Sequence, residues 1–170
     1  MRCSLHLRKE NSMTQPKITL KTPWQFLASG FGAGLSPIAP GTIGTLMAIP
    51  LWLLLTQLSL SYYLGALLFL TIAGIIICHK ASHELGVHDH GGIVWDEFVG
   101  YWITMIGAPL SWPAIVLGFI YFRVFDILKP WPIKIADEKI TGGLGIMIDD
   151  MIAGLFALIL LQITLLIIPF

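Results

Sequence analysis

Five apolar stretches, at residues 41–58, 62–78, 93–110, 113–128 and 146–168, dominate this chain. A helix that crosses a bilayer needs about 20 apolar residues, and about 17 suffice. The first, second and fifth stretches meet that length with few or no charges. The third does so with Asp96 and Glu97 at its start, and the fourth, at 16 residues, is short and carries Arg123 and Asp126 near its end. A sixth apolar segment, residues 24–35, is too short to span and too rich in glycine for a stiff helix. It reads as an interfacial or re-entrant piece leading into the break Ser36-Pro37-Ile38-Ala39-Pro40-Gly41-Thr42. The predicted fold is all-α: a polytopic membrane helix bundle of about five transmembrane helices plus an N-terminal interfacial or re-entrant helix.

Composition agrees with that prediction. Of 170 residues, 56% are hydrophobic and 12% charged, whereas a soluble domain carries about twice that charged fraction. The surplus apolar surface needs lipid to cover it. A net charge of +0 gives no case for a nucleic-acid partner, which would call for a basic patch. Cys3 and Cys78 fit neither a disulfide framework nor a zinc pattern. Residues 1–22 are polar and basic, with no apolar run of a secretory leader, so no cleavage is expected. Met13 is an alternative start. Residues 1–22 are expected to form a disordered tail, and residues 23–170 a single membrane-embedded domain.

The charges sort to one side. Residues 59–61 and 111–112, the links between stretches one and two and between three and four, carry none. Every Lys and Arg lies in the N-terminal tail, in residues 80–92, or between Arg123 and Lys139. If the stretches alternate across the membrane, all these regions share one face, which the positive-inside rule makes the cytoplasm. The acids follow the same geography. Glu84 and Asp89 fall in the first inner loop, Asp137 and Glu138 in the second, and Asp96, Glu97, Asp126, Asp149 and Asp150 at inner helix ends.

Those five carboxylates are the sharpest chemical signal. Intramembrane acids are functional by default, and several together repel one another unless they are protonated or bind cations. Magnesium prefers oxygen ligands, typically one or two carboxylates with waters and substrate phosphate oxygens. Neighbours on a helix point about 100° apart, so Asp96-Glu97 and Asp149-Asp150 cannot all be equal ligands. The plainer alternative is that acids at helix starts only complement the macrodipole. Arg123, Asp126 and Lys129 follow i, i+3, i+6 spacing. Either Arg123 neutralises Asp126 and Lys129 snorkels to head groups, or the two cations bind phosphate while Asp126 binds metal.

Two Gly-rich entries, Pro40-Gly41-Thr42-Ile43-Gly44-Thr45 and Gly142-Gly143-Leu144-Gly145, could cradle an anion on backbone N–H groups, with Thr42 a candidate phosphate contact. The commoner reading is a break at the interface. His79, His83, His88 and His90 lack the spacing of a zinc site, and a polar loop is expected there. Small-residue spacings such as Gly30/Gly34 and Gly100/Ala108 permit close helix packing within one chain or in a homo-oligomer.

Residues 88–100 (HDHGGIVWDEFVG), 122–133 (FRVFDILKPWPI) and 142–154 (GGLGIMIDDMIAG), with 36–45 (SPIAPGTIGT), closely resemble the phosphatidylglycerophosphatase A family. The match runs from about Trp24 to the last stretch. The resemblance implies a magnesium-dependent enzyme of the bacterial inner membrane that hydrolyses phosphatidylglycerophosphate to phosphatidylglycerol and phosphate, so that residues 23–170 would be the phosphatase domain. Its acidic motif positions fall on Asp89, Asp96, Glu97, Asp126, Asp149 and Asp150, its basic ones on Arg123 and Lys129, and an acid at Glu84 also suits the pattern. The expected mechanism is metal-assisted hydrolysis, or an aspartyl-phosphate route. Asp96–Glu97 or Asp149–Asp150 would position or deprotonate water, with Arg123 on the developing charge. The rival from another class is a small cation transporter or channel, which would place its acids near mid-membrane. The Asp-Gly…Ala-Arg signature of a lipid alcohol phosphotransferase is missing.

Overall fold

The computed structural model describes residue 16 and residues 18–87 and 90–168, with the side chains of 137–139 left out. Among the described residues there are seven α-helices, one 3-10 turn and no strand. They are α1 (Pro23–Ala28), a 3-10 turn (Ala33–Leu35), α2 (Pro40–Leu55), α3 (Leu60–Leu85), α4 (Trp95–Thr104), α5 (Trp112–Leu128), α6 (Ile133–Lys139) and α7 (Gly142–Ile167). The all-α expectation holds. Asp89 and His88 lie outside the described residues.

Local chemistry sets the helix ends. Thr22 caps α1, its hydroxyl accepting from Gln25 N, and Pro23 follows in the first turn, where a missing N–H costs nothing. Ser111 caps α5 in the same way, ahead of Pro113. Gly86 ends α3 in the left-handed conformation, which a residue without Cβ adopts freely. The packed chain reaches back before residue 23: Ile18 is buried, and Thr19 N and Oγ1 both donate to Gln25 Oε1 at 3.1 Å.

Helices α3 and α7, of 26 residues each, are long and apolar enough to cross a membrane. Both exceed the apolar stretches that announced them. α3 continues seven residues past Cys78, and α7 starts four residues before Ile146. Leu64, Leu68, Phe69, Ile72 and Ile76 on α3 form an exposed apolar stripe, as do Val116, Ile120, Val124 and Ile127 on α5 and Leu155, Ile159, Ile163 and Leu166 on α7. Stripes at helical spacing that face outward are the inverse of a soluble bundle, and they associate this protein with lipid.

Helix α4 departs from expectation. Residues 93–110 read as a spanning stretch, yet they hold a helix of only ten residues, about 15 Å long. Eight of those ten are buried, because α2, α3, α5 and α7 all pack around it. Its apolar character is satisfied by protein. Trp95 stacks on Phe98 with centroids 5.7 Å apart, and Phe98 meets Trp102 at 5.7 Å. The indole N–H groups find backbone partners on neighbouring helices: Trp102 Nε1 donates to Ala48 O at 3.0 Å and Trp95 Nε1 to Leu70 O at 3.3 Å.

Glycines bring α4 and α7 together. A Cβ on Gly154 would strike the Gly100 carbonyl oxygen, and one on Gly100 would meet the Phe122 ring and, at 2.9 Å, the Asp150 carbonyl. The obstacle is backbone, so it cannot swing away. Gly100 thus does permit a close approach, with Gly154 of the same chain as its partner. This crossing matters for the site. Asp150 lies one turn before Gly154 and Asp96 one turn before Gly100, so the same contact draws their helix ends together.

Candidate active site

Three helices deliver the charged side chains to one end of the bundle. Asp96 and Glu97 stand in the first turn of α4, whose start is anchored by Val94 N donating to Ala28 O at 2.8 Å. Arg123 and Asp126 occupy the last turns of α5, one helical step apart, with Nη1 of the first 2.7 Å from Oδ2 of the second. The same Nη1 contacts Glu97 Oε2. Lys129, the residue that ends α5, takes a left-handed φ of 41° and places Nζ 2.8 Å from Asp149 Oδ2. Such a backbone is uncommon for a residue with a side chain, and Pro130 then prevents the helix from continuing.

Asp149 and Asp150 sit about two turns inside α7, deeper than their place at the start of the fifth apolar stretch suggested. Both are buried. One oxygen from each of Asp126, Asp149 and Asp150 lies within 4.8 Å of the others. Asp150 also interacts electrostatically with Glu97 and Asp96, so five carboxylates share one neighbourhood. Arg123 and Lys129 place positive charge against them. Buried charge is costly unless it is neutralised. Three carboxylates close together, two buried and Asp126 half-buried, are hard oxygen ligands that fit a divalent cation.

The structure sorts the expected residues. Asp126, Asp149 and Asp150 come together as a potential metal group, whereas Glu97 is engaged by Arg123. Arg123 and Asp126 are paired, as their spacing suggested, and Asp126 belongs to the carboxylate group as well. Thr42 makes no hydrogen bond to the site among the described residues. Thr45, one turn further along, does: its Oγ1 lies 3.0 Å from Glu97 Oε2 and 3.5 Å from Arg123 Nη1. Sequence reading passed over Thr45, although its four-residue spacing from Gly41 puts both on one helix face.

The family model of phosphatidylglycerophosphatase A matches residues 26–165. This chain belongs to that family. A phosphatidylglycerophosphatase A of Escherichia coli (strain K12) is 45% identical over 152 residues, 89% of this chain and 88% of the relative. One from Haemophilus influenzae is 47% identical over 150 residues, 84% of this chain and 89% of the relative. A Bacteroides thetaiotaomicron protein with the provisional name of phosphatidylinositol-3-phosphatase is 38% identical over 146 residues, 81% of this chain and 90% of its own. No solved structure matches.

Membership in the phosphatidylglycerophosphatase A family gives the remaining sequence motifs a frame. Gly142–Gly145 opens α7, but its tight approach is to α3: a Cβ on Gly143 would strike the Ile75 carbonyl. That entry is a packing device. His90 Nε2 lies 2.6 Å from Pro16 O and its Nδ1 accepts from Gly92 N at 3.0 Å, so it ties a loop together. Glu84 accepts from Thr22 Oγ1 at 2.5 Å and Gln25 Nε2 at 3.3 Å, joining the end of α3 to α1. The second inner loop holds a helix, α6, that packs against α7.

Proposed function

We propose that this protein hydrolyses the terminal phosphate monoester of phosphatidylglycerophosphate to phosphatidylglycerol and inorganic phosphate, with magnesium as cofactor. One observation carries the reading: in a chain of this family, three converging carboxylates lie beside an arginine and a lysine at one end of a lipid-facing bundle. A transporter site would set its acids near mid-membrane with no need of an adjacent guanidinium. Asp126, Asp149 and Asp150 would hold the ion. When bound, magnesium neutralises phosphate charge and lowers the proton affinity of bound water.

The chain's own residues carry the rest. Arg123 and Lys129 bind phosphate oxygens and favour the charge that builds as the ester bond breaks. Asp96, half-buried at the start of α4, orients the attacking water, takes its proton, and returns it to the departing glycerol oxygen. The new P–O bond forms from that water, and the phosphate–glycerol bond breaks. Glu97 holds Arg123 in place.

The chain lies in the bacterial inner membrane, with the site at the cytoplasmic face and five apolar stretches alternating across the bilayer. Exposed Tyr62 and Trp112 at one end of the bundle and exposed Trp131 at the carboxylate end suit the two interfacial belts of a membrane protein. A lipid head group at that face reaches the site without leaving the bilayer. Single cysteines test the orientation in a Cys3→Ser, Cys78→Ser background. Ser59→Cys and Ser111→Cys should react with an impermeant maleimide in intact spheroplasts, and Lys134→Cys only after permeabilisation. The opposite pattern would overturn the orientation.

The activity is tested with purified protein in detergent, measuring phosphate release from phosphatidylglycerophosphate and, in parallel, from phosphatidylinositol 3-phosphate. Faster release from the first substrate is expected. Preference for the second would reject the substrate assignment, and release from neither would reject the reading.

A further inference from the structure

The segment Pro40-Gly41-Thr42-Ile43-Gly44-Thr45 supplies none of the carboxylates, yet its helix presses on the residues beside them. Thr45 is fully buried. Its Oγ1 lies 3.0 Å from Gly41 O and 3.0 Å from Glu97 Oε2. The hydroxyl has one proton to share between these two acceptors, and the first contact is the usual back-bond of a helical threonine to the carbonyl four residues earlier. The second is not local, since it reaches from α2 to α4. A Cβ on Gly41 would collide with Glu97 Oε1 and stand 3.3 Å from Arg123 Nη1. The first turns of α2 therefore close the Glu97–Arg123 pair from one side, by a hydroxyl at Thr45 and by the missing side chain at Gly41.

The grip has a direction. Glu97, Asp126 and Thr45 all meet the guanidinium through Nη1. None of the hydrogen bonds of Arg123 among the described residues uses Nη2. A guanidinium is a rigid planar fork, so holding one prong fixes where the other lies.

We propose that Thr45 is a positioning residue for phosphate binding. By fixing Glu97 Oε2 it holds Arg123 Nη1, and so presents Nη2 to a phosphate oxygen. The proposal rests on the lipid-phosphatase reading for its substrate.

Thr45→Val removes the hydroxyl and keeps the branched shape. It is expected to lower kcat/KM for phosphatidylglycerophosphate about 10- to 100-fold, the scale of one hydrogen bond to a charged group. Thr45→Ser, which keeps the hydroxyl, should stay within about threefold of wild type, because the bond itself survives. Thr45→Ala serves as a second hydroxyl-free variant. If Thr45 acts through Arg123, adding Thr45→Val to Arg123→Lys costs little further, since residues in one network are not additive. Losses that multiply, or a Thr45→Val variant with wild-type kcat/KM, would overturn the proposal. Titration of inorganic phosphate into each variant, without turnover, separates the two failures. Weaker phosphate binding in Thr45→Val than in Thr45→Ser supports the positioning role even if the lipid proves not to be the substrate. Equal binding in the two overturns it.

Discussion

Asp149→Asn is expected to lower turnover at least about 100-fold, the scale of losing one transition-state charge contact, while the protein remains inserted and folded. Asp149 is buried and works in two directions. One oxygen belongs to the group formed with Asp126 and Asp150, and Oδ2 lies 2.8 Å from Lys129 Nζ. Asparagine keeps the size and one carbonyl oxygen but removes the charge, so metal affinity and the placement of Lys129 both suffer. Removing negative charge from a neighbourhood of five carboxylates relieves repulsion, so the folded state should tolerate the change. Asp96→Asn is expected to cost turnover on the same scale for a different reason, the loss of the group that handles the proton of water. Near-normal kcat in both variants, measured by phosphate release, would sink the site assignment.

The second large effect is at Arg123. Arg123→Ala would leave Glu97 and Asp126 without their partner, and stranding a charge from a buried pair costs about 3–5 kcal/mol. A loss of activity there would be confounded by a loss of fold. Arg123→Lys is the cleaner variant, since it keeps the positive charge and gives up the planar fork. It is expected to retain most of the thermal stability in detergent and to lose turnover about 100-fold. Lysine can still neutralise Glu97 but cannot grip it with one nitrogen while offering another to phosphate. If Arg123→Lys turns over at the wild-type rate, the arginine serves only to neutralise its neighbours.

Much of the architecture is legible in the sequence, because apolar length and charge placement are local properties. The stretches at residues 62–78 and 146–168 became α3 and α7, and i, i+3 spacing was enough to pair Arg123 with Asp126. The stretch at 93–110 shows the limit. An apolar run announces burial without saying whether lipid or protein covers it, and α4 is covered by four other helices. Length alone did not foretell so short a helix there. The glycines that allow that burial, Gly100 and Gly154, lie more than fifty residues apart, so their contact depends on tertiary packing.

The site divides along the same line. That the acids gather at one end follows from their positions along the chain. Which of them meet depends on how each helix is rotated about its axis. The sequence could not rank Asp126, Asp149 and Asp150 above Asp96 and Glu97. Nor could it tell that Thr45 rather than Thr42 faces the arginine, since that choice rests on the close approach of α2 at Gly41. Glycine-rich entries to helices carry two meanings, anion cradle or tight crossing. At Gly143 the Ile75 carbonyl decides for the crossing.

The most direct test of the central claim, that converging carboxylates bind a divalent cation for phosphate hydrolysis, is a chelation experiment on the purified protein. Phosphate release from phosphatidylglycerophosphate is measured before chelation, after it, and after magnesium is added back. The expected result is loss of release on chelation, full recovery with magnesium in the wild type, and little recovery in Asp149→Asn. Release that persists unchanged in chelator would contradict the account.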